Sequence, residues 1–146
     1  MMLSSVFVVE EAAPGVTREY SADGHIVIFG VHDGSTQTIA RWADQVKATL
    51  LRWPADQPCF LLHDLHRSSF HAFDSFMRTK FDELFVLRPQ MERWVAVILP
   101  EGDGARFARI NTRVRELLVA SSYPVHWEIF TSRKQATNWL MRHSVV

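Results

Sequence analysis

Apolar and polar positions follow one period in the first thirty residues and another soon after. Val6 to Val9 is a short β-branched and aromatic run, brought to an end by Glu10, Glu11 and the Pro14-Gly15 turn signal. Val16, Arg18 and Tyr20 alternate with Thr17 and Glu19, the period of two that marks a half-buried strand. Asp23-Gly24 separates this strand from the apolar run His25 to Val31. An Asp-Gly pair between two such runs favours a tight hairpin, because a type I′ turn needs positive φ at both central residues. The chain therefore opens as an antiparallel ribbon.

Beyond Gly34 the period lengthens. Ile39, Ala43, Val46 and Leu50 fall at i, i+4, i+7 and i+11, with Arg41, Asp44 and Lys47 between them, so an amphipathic helix is expected. Ser35 or Thr36 is its N-cap, and Pro54 and Pro58 close it. Phe60-Leu61-Leu62-His63-Asp64-Leu65 suits a strand covered on both faces. Phe73, Met77, Phe81 and Leu84 mark a second helix that stops before Pro89. Trp94 to Leu99 is the most continuous apolar strand and is placed at the centre of the sheet. Phe107, Ile110, Val114, Leu117 and Leu118 give a third helix, ending near Ser121-Ser122. Val125, Trp127 and Ile129 alternate with His126 and Glu128, as in an edge strand with one wetter face. Ser132 and Gln135 have capping-box spacing and open a last helix with Ala136, Trp139 and Leu140 inward.

The order β-β-β-α-β-α-β-α-β-α implies right-handed crossovers between parallel strands. The expected fold is a single-domain α/β sandwich over residues 1–146, with a mixed sheet: an N-terminal antiparallel hairpin, then parallel strands and helices. The 16 Lys and Arg balance the 16 Asp and Glu, which argues against a nucleic-acid or acidic-membrane binder. A single cysteine, Cys59, excludes an internal disulfide. No apolar run approaches the ~20 residues of a membrane span, and Met1 to Val9 lacks the basic flank of a signal peptide, so a cytoplasmic protein is expected.

The order of elements and the wording of the last sixty residues resemble the STAS or SpoIIAA-like family, the anti-sigma-factor antagonist fold and its uncharacterised bacterial relatives. Three passages carry the likeness: Phe60 to Leu65, a strand ending in Asp-Leu; Trp94-Val95-Ala96-Val97-Ile98-Leu99-Pro100; and Phe130-Thr131-Ser132 leading through a capped helix to Ala136 and Trp139-Leu140. The similarity covers about residues 17 to 142. It implies a non-enzymatic interaction or regulatory module with an unidentified protein partner and no cofactor. In the regulatory branch a serine at the start of the second helix is phosphorylated, within Asp-Ser-Ser-Gly. Here Asp64-Leu65 is followed by His66-Arg67-Ser68-Ser69-Phe70, so the paired serines are present while the preceding Asp and following Gly are missing.

Four groups of residues carry candidate chemistry. Ser68 and Ser69 are candidate phosphoacceptors beside Arg67, where a phosphate would meet the positive end of a helix dipole; an N-cap would use the same serines. His32-Asp33 and His63-Asp64 both end strands and, with His66, are a candidate ligand or metal rim, since imidazole and carboxylate are ordinary Zn²⁺ ligands. No His-Glu-x-x-His or paired Cys-x-x-Cys spacing accompanies them, and solvated rim residues with a capping Asp explain the same pattern. An enzyme or small-ligand protein built on this rim is the alternative to the interaction module. Gly34 to Thr38 has hydroxyls suited to a phosphate loop but lacks the glycine spacing of one, so helix capping accounts for it.

Arg106, Arg109 and Arg113 line one face of the third helix after Gly102-Asp103-Gly104 and are candidate anion-binding residues; a solvated helix face is the alternative. Phe70, Phe73, Phe76, Phe81 and Phe85 crowd one helix on more than one face, which suggests a homodimer or an apolar ligand. Cys59 reads as a packed small hydrophobe.

Overall fold

The computed structural model describes residues 8–21, 25–67, 76, 78–99 and 104–144; side chains are described from residue 9 onward and, in the third helix, from 108. Ten elements follow in the expected order: β1 (Val8–Ala13), β2 (Val16–Ser21), β3 (Ile26–Val31), α1 (Thr36–Arg52), β4 (Cys59–Asp64), α2 (Arg78–Phe85), β5 (Arg93–Ile98), α3 (Gly104–Ser121), β6 (Val125–Phe130) and α4 (Arg133–Ser144). The strands form one sheet in the order β1-β2-β3-β4-β5-β6, antiparallel through β3 and parallel from β3 onward. Among the described residues no helix is long and apolar enough to cross a membrane.

Two details differ from the sequence pattern. β1 runs through Glu10 and Glu11, which pair with Arg18 and Thr17, because an edge strand can carry charges that an inner strand cannot. β5 is paired on both sides but lies one strand in from the edge: each crossover advances the sheet by one position, so an unbroken apolar run marks double coverage, not centrality. The Asp23-Gly24 turn lies outside the described residues, although Ser21 and Ile26 pair across it.

Strand alternation divides the core in two. Val27, Phe29, Leu61, Val95, Val97 and Trp127 face α1, α2 and α3. Ile26, Ile28, Phe60, Leu62, Ala96 and Ile98 face Ala136 and Leu140 of α4, the one helix that covers that side among the described residues. α1 is capped by Ser35, whose Oγ accepts the Thr38 N–H at 3.1 Å; it buries Ile39, Ala43, Val46 and Leu50 at the predicted spacing and Trp42 beside them. Phe81 and Phe85 of α2 are buried and Phe76 is half-buried, while Phe70 and Phe73 lie outside the described residues. α4 starts after Ser132, whose carbonyl accepts Ala136 N–H at 3.1 Å.

Candidate functional site

β3 and β4 lie side by side in parallel, with Gly30 opposite Asp64, so His32-Asp33 and His63-Asp64 do reach one end of the sheet. Adjacent residues of a strand point to opposite faces, however, and this separates each member of the second pair. His63 points into the larger core and is 2% exposed. Its Nδ1 accepts the indole N–H of Trp42 at 3.1 Å, and its ring packs against Phe29 and Phe81. Burial pushes its pKa down to about 3, so the imidazole is neutral at any ordinary pH.

Asp64 points to the α4 side, where its carboxylate accepts the backbone N–H of His66 at 3.2 Å and pairs with the His66 ring through Nδ1. Arg133, the first residue of α4, brings Nε to 3.6 Å from the same carboxylate and donates through Nη2 to Glu19 on β2 at 2.6 Å. A chain of groups, His66–Asp64–Arg133–Glu19, therefore ties β4, α4 and β2 together. Sequence reasoning missed Glu19 and Arg133. One signal was available: a cation in the first helical turn opposes the helix dipole, and so calls for nearby carboxylates.

The remaining rim residues have separate surroundings. Asp33 accepts the Ser35 N–H at 2.9 Å and the Thr38 hydroxyl at 3.0 Å. Hydrogen bonding from Ser35, then from Thr38, holds its carboxyl below the usual range. It works there as part of the α1 cap. His32 is exposed, and its backbone N–H donates to Gly15 O at 2.9 Å. Among the described residues no group of three or more His, Cys, Asp or Glu is placed to hold a metal ion. Cys59 is buried, and burial pushes its thiol up to about 12. Arg109 and Arg113 are exposed on α3, Arg106 has its side chain outside the described part, and Ser68 and Ser69 lie outside it altogether.

A second feature lies along β6. A groove of about 490 Å³ runs beside this edge strand, between Trp94 and Trp139 on one face and Arg115, Val119 and Tyr123 on the other. The Trp94 ring is sandwiched between His126 at 3.7 Å and His143 at 4.0 Å, both nearly parallel to it. Val119 on the flank of the groove is 81% exposed, the most open large apolar side chain described. These residues come from β5, α3, β6 and α4 and from the turn before β6, and only the register of β5 against β6 aligns Trp94 with His126.

No family model matches the chain, and no curated protein matches it. A solved structure does: an uncharacterised DUF3478-family protein from Shewanella loihica PV-4, described as having a SpoIIAA-like fold. The likeness covers 96% of this chain and 99% of that one, with a TM-score of 0.53 and 19% sequence identity. The fold is SpoIIAA-like. In this SpoIIAA-like sheet the Asp64-Leu65 end of β4 is the point where the polar chain to α4 begins, and β6 is the edge strand farthest from the opening ribbon among the described residues.

Proposed function

We propose that this SpoIIAA-like chain is a non-enzymatic interaction module whose binding surface runs along β6. The observation that carries this reading is the groove beside the β6 edge, with its large aromatic and apolar lining. The distribution of acid–base groups supports it: His63 is held by Trp42, Asp33 by Ser35 and Thr38, and Asp64 by His66 and Arg133. A photoreactive residue at Val119, compared with one at the exposed Lys47 of α1, tests it in a lysate of the source organism. Discrete adducts from position 119 alone are expected; identical adduct patterns from both positions would refute the reading.

A second reading attaches to His66. Its Nδ1 is turned to the buried Asp64 carboxylate while its side chain is 49% exposed, an arrangement that orients an imidazole with Nε2 toward a ligand. In this reading a small polar ligand hydrogen-bonds to His66 at the Asp64 end of β4. Small polar compounds that raise the melting temperature of the wild type, but not of His66→Ala, would favour it over the first.

A further inference from the structure

The two faces of the sheet are covered unequally. On one face α1, α2 and α3 pack over the larger core, and α1 alone buries Ile39, Trp42, Ala43, Val46 and Leu50 along its 17 residues. On the other, α4 is the one helix among the described residues, and of its 12 residues it buries Ala136 and Leu140, with Trp139 half-buried beside them. A helix of that length is marginal by itself in water, so docking must supply most of its stability. Its own sequence adds little: the first turn carries Arg133 and no acid, against the helix dipole, and Thr137 and Asn138 are weak helix formers. Few buried side chains therefore stand against the chain entropy of ordering the whole helix.

Contacts at the two ends hold it in place. Arg133 brings Nε to 3.6 Å from Asp64 and donates through Nη2 to Glu19 at 2.6 Å, but its side chain is 46% exposed, so water screens these pairs. At the other end the exposed His143 stacks on Trp94 at 4.0 Å. Thr131 and Ser132 join β6 to α4, a short link that can act as a hinge.

We infer that α4 is a detachable cover, which leaves the sheet as one unit while the strands and the larger core stay folded. Such partial opening belongs to elements that bury few apolar side chains. Release uncovers Ile28, Leu62 and Ala96 and removes Trp139 and the His143 stack from Trp94, so the groove beside β6 is complete only while α4 is docked. An occupant of the groove that touches Trp139 would hold the cover shut. The inference goes beyond the interaction reading and does not depend on what the groove binds.

Native-state amide exchange of the full chain at neutral pH, read peptide by peptide by mass spectrometry, tests it. Amides of α4 should be at least about tenfold less protected than those of α1, β4 and β5. Ile39→Val trims the larger core and should speed exchange in α1, β4 and β5 by roughly two- to tenfold. It should leave α4 unchanged, because the contacts of Ile39 persist when α4 opens. Leu140→Ala should strip protection from α4 while α1 and β4 remain protected. Amides of α4 as protected as those of β4, or accelerating in step with them in Ile39→Val, would overturn the inference, since the helix would then open only with the whole molecule. Loss of protection in α1 and β4 of Leu140→Ala would overturn it too.

Discussion

Trp42 on α1 donates its indole N–H to Nδ1 of His63 on β4 at 3.1 Å, in a core where both rings are almost sealed from solvent. The bond joins the first crossover helix to the strand it delivers, and Phe81 of α2 packs edge-on against both rings. Replacing Trp42 with Phe keeps most of the ring but leaves the His63 nitrogen without a donor. A buried acceptor left unsatisfied costs about 1–3 kcal/mol. Urea unfolding of Trp42→Phe should show a loss of at least that size, because the smaller ring also leaves a cavity.

Acid should weaken this protein through the same histidine. The unfolded imidazole takes up a proton near 6.5, whereas burial pushes the folded one down to about 3. Between those values the unfolded chain holds the extra proton, so stability is lost as pH falls below about 6.5 and goes on falling toward the folded value. Each pH unit inside the window is worth about 1.4 kcal/mol for one proton. Unfolding midpoints at pH 7 and pH 5 should differ more in the wild type than in His63→Phe. Equal acid sensitivity in the two proteins would show that His63 is not the group responsible.

Gly30 makes room for Thr17. A Cβ on Gly30 would stand 2.5 Å from the Thr17 hydroxyl oxygen, on the strand paired with it. Gly30→Ala should therefore destabilise by about 1–3 kcal/mol, the usual cost of forced overpacking. Thr17→Ala removes the clashing oxygen, so the double variant should recover much of the loss. Additive effects in the thermodynamic cycle would mean that the two positions do not meet.

The fold was legible because each element keeps one period over its whole length. Ile39 to Leu50 is helical by spacing alone, and Val16 to Tyr20 alternates as a half-buried strand should. The rim was only half legible. Parallel pairing of β3 and β4 does bring the two His-Asp pairs to one end, yet the period of two that identified the strands also sends His63 and Asp64 to opposite faces. The link from Asp64 through Arg133 to Glu19 joins residues more than sixty positions apart, and no local pattern encodes such a contact. The sandwich of His126, Trp94 and His143 depends on strand register and the docking angle of α4, which periodicity does not report.

Cys59 should be chemically silent in the native protein. It is buried at the start of β4, and desolvation pushes its thiol to about 12 against the opposing pull of Arg93 and Arg88. The thiolate is the reactive species, so almost none is present at neutral pH. Ellman's reagent should titrate no thiol in native protein and one thiol in guanidinium chloride. Rapid native labelling would contradict the packing of β4 described above.

Arg93 is a cation at 2% exposure whose two described hydrogen bonds run to backbone carbonyls: Leu84 O at 2.7 Å and Arg88 O at 3.1 Å. Leu84 is in the last turn of α2, where the partial charge of the helix end is negative, so the guanidinium serves as a C-terminal cap from a neighbouring strand. Its Nε has no hydrogen-bond partner among the described residues, and burial pushes its pKa below the ordinary arginine value. Two opposed effects follow from replacing it with Met. Removing a poorly solvated charge is favourable, as with other buried ions. Losing the donors leaves two carbonyls short, at about 1–3 kcal/mol each. Leu84 O keeps the Leu87 N–H at 3.2 Å, which softens one of those losses, but Arg88 sits at φ 48 and its carbonyl is held in place by Arg93. The capping loss should therefore win: Arg93→Met should be less stable than wild type, and Arg93→Lys, which keeps the charge and loses the fork, should fall between them. A Met variant more stable than wild type would mean that desolvation dominates and that α2 ends without help from β5.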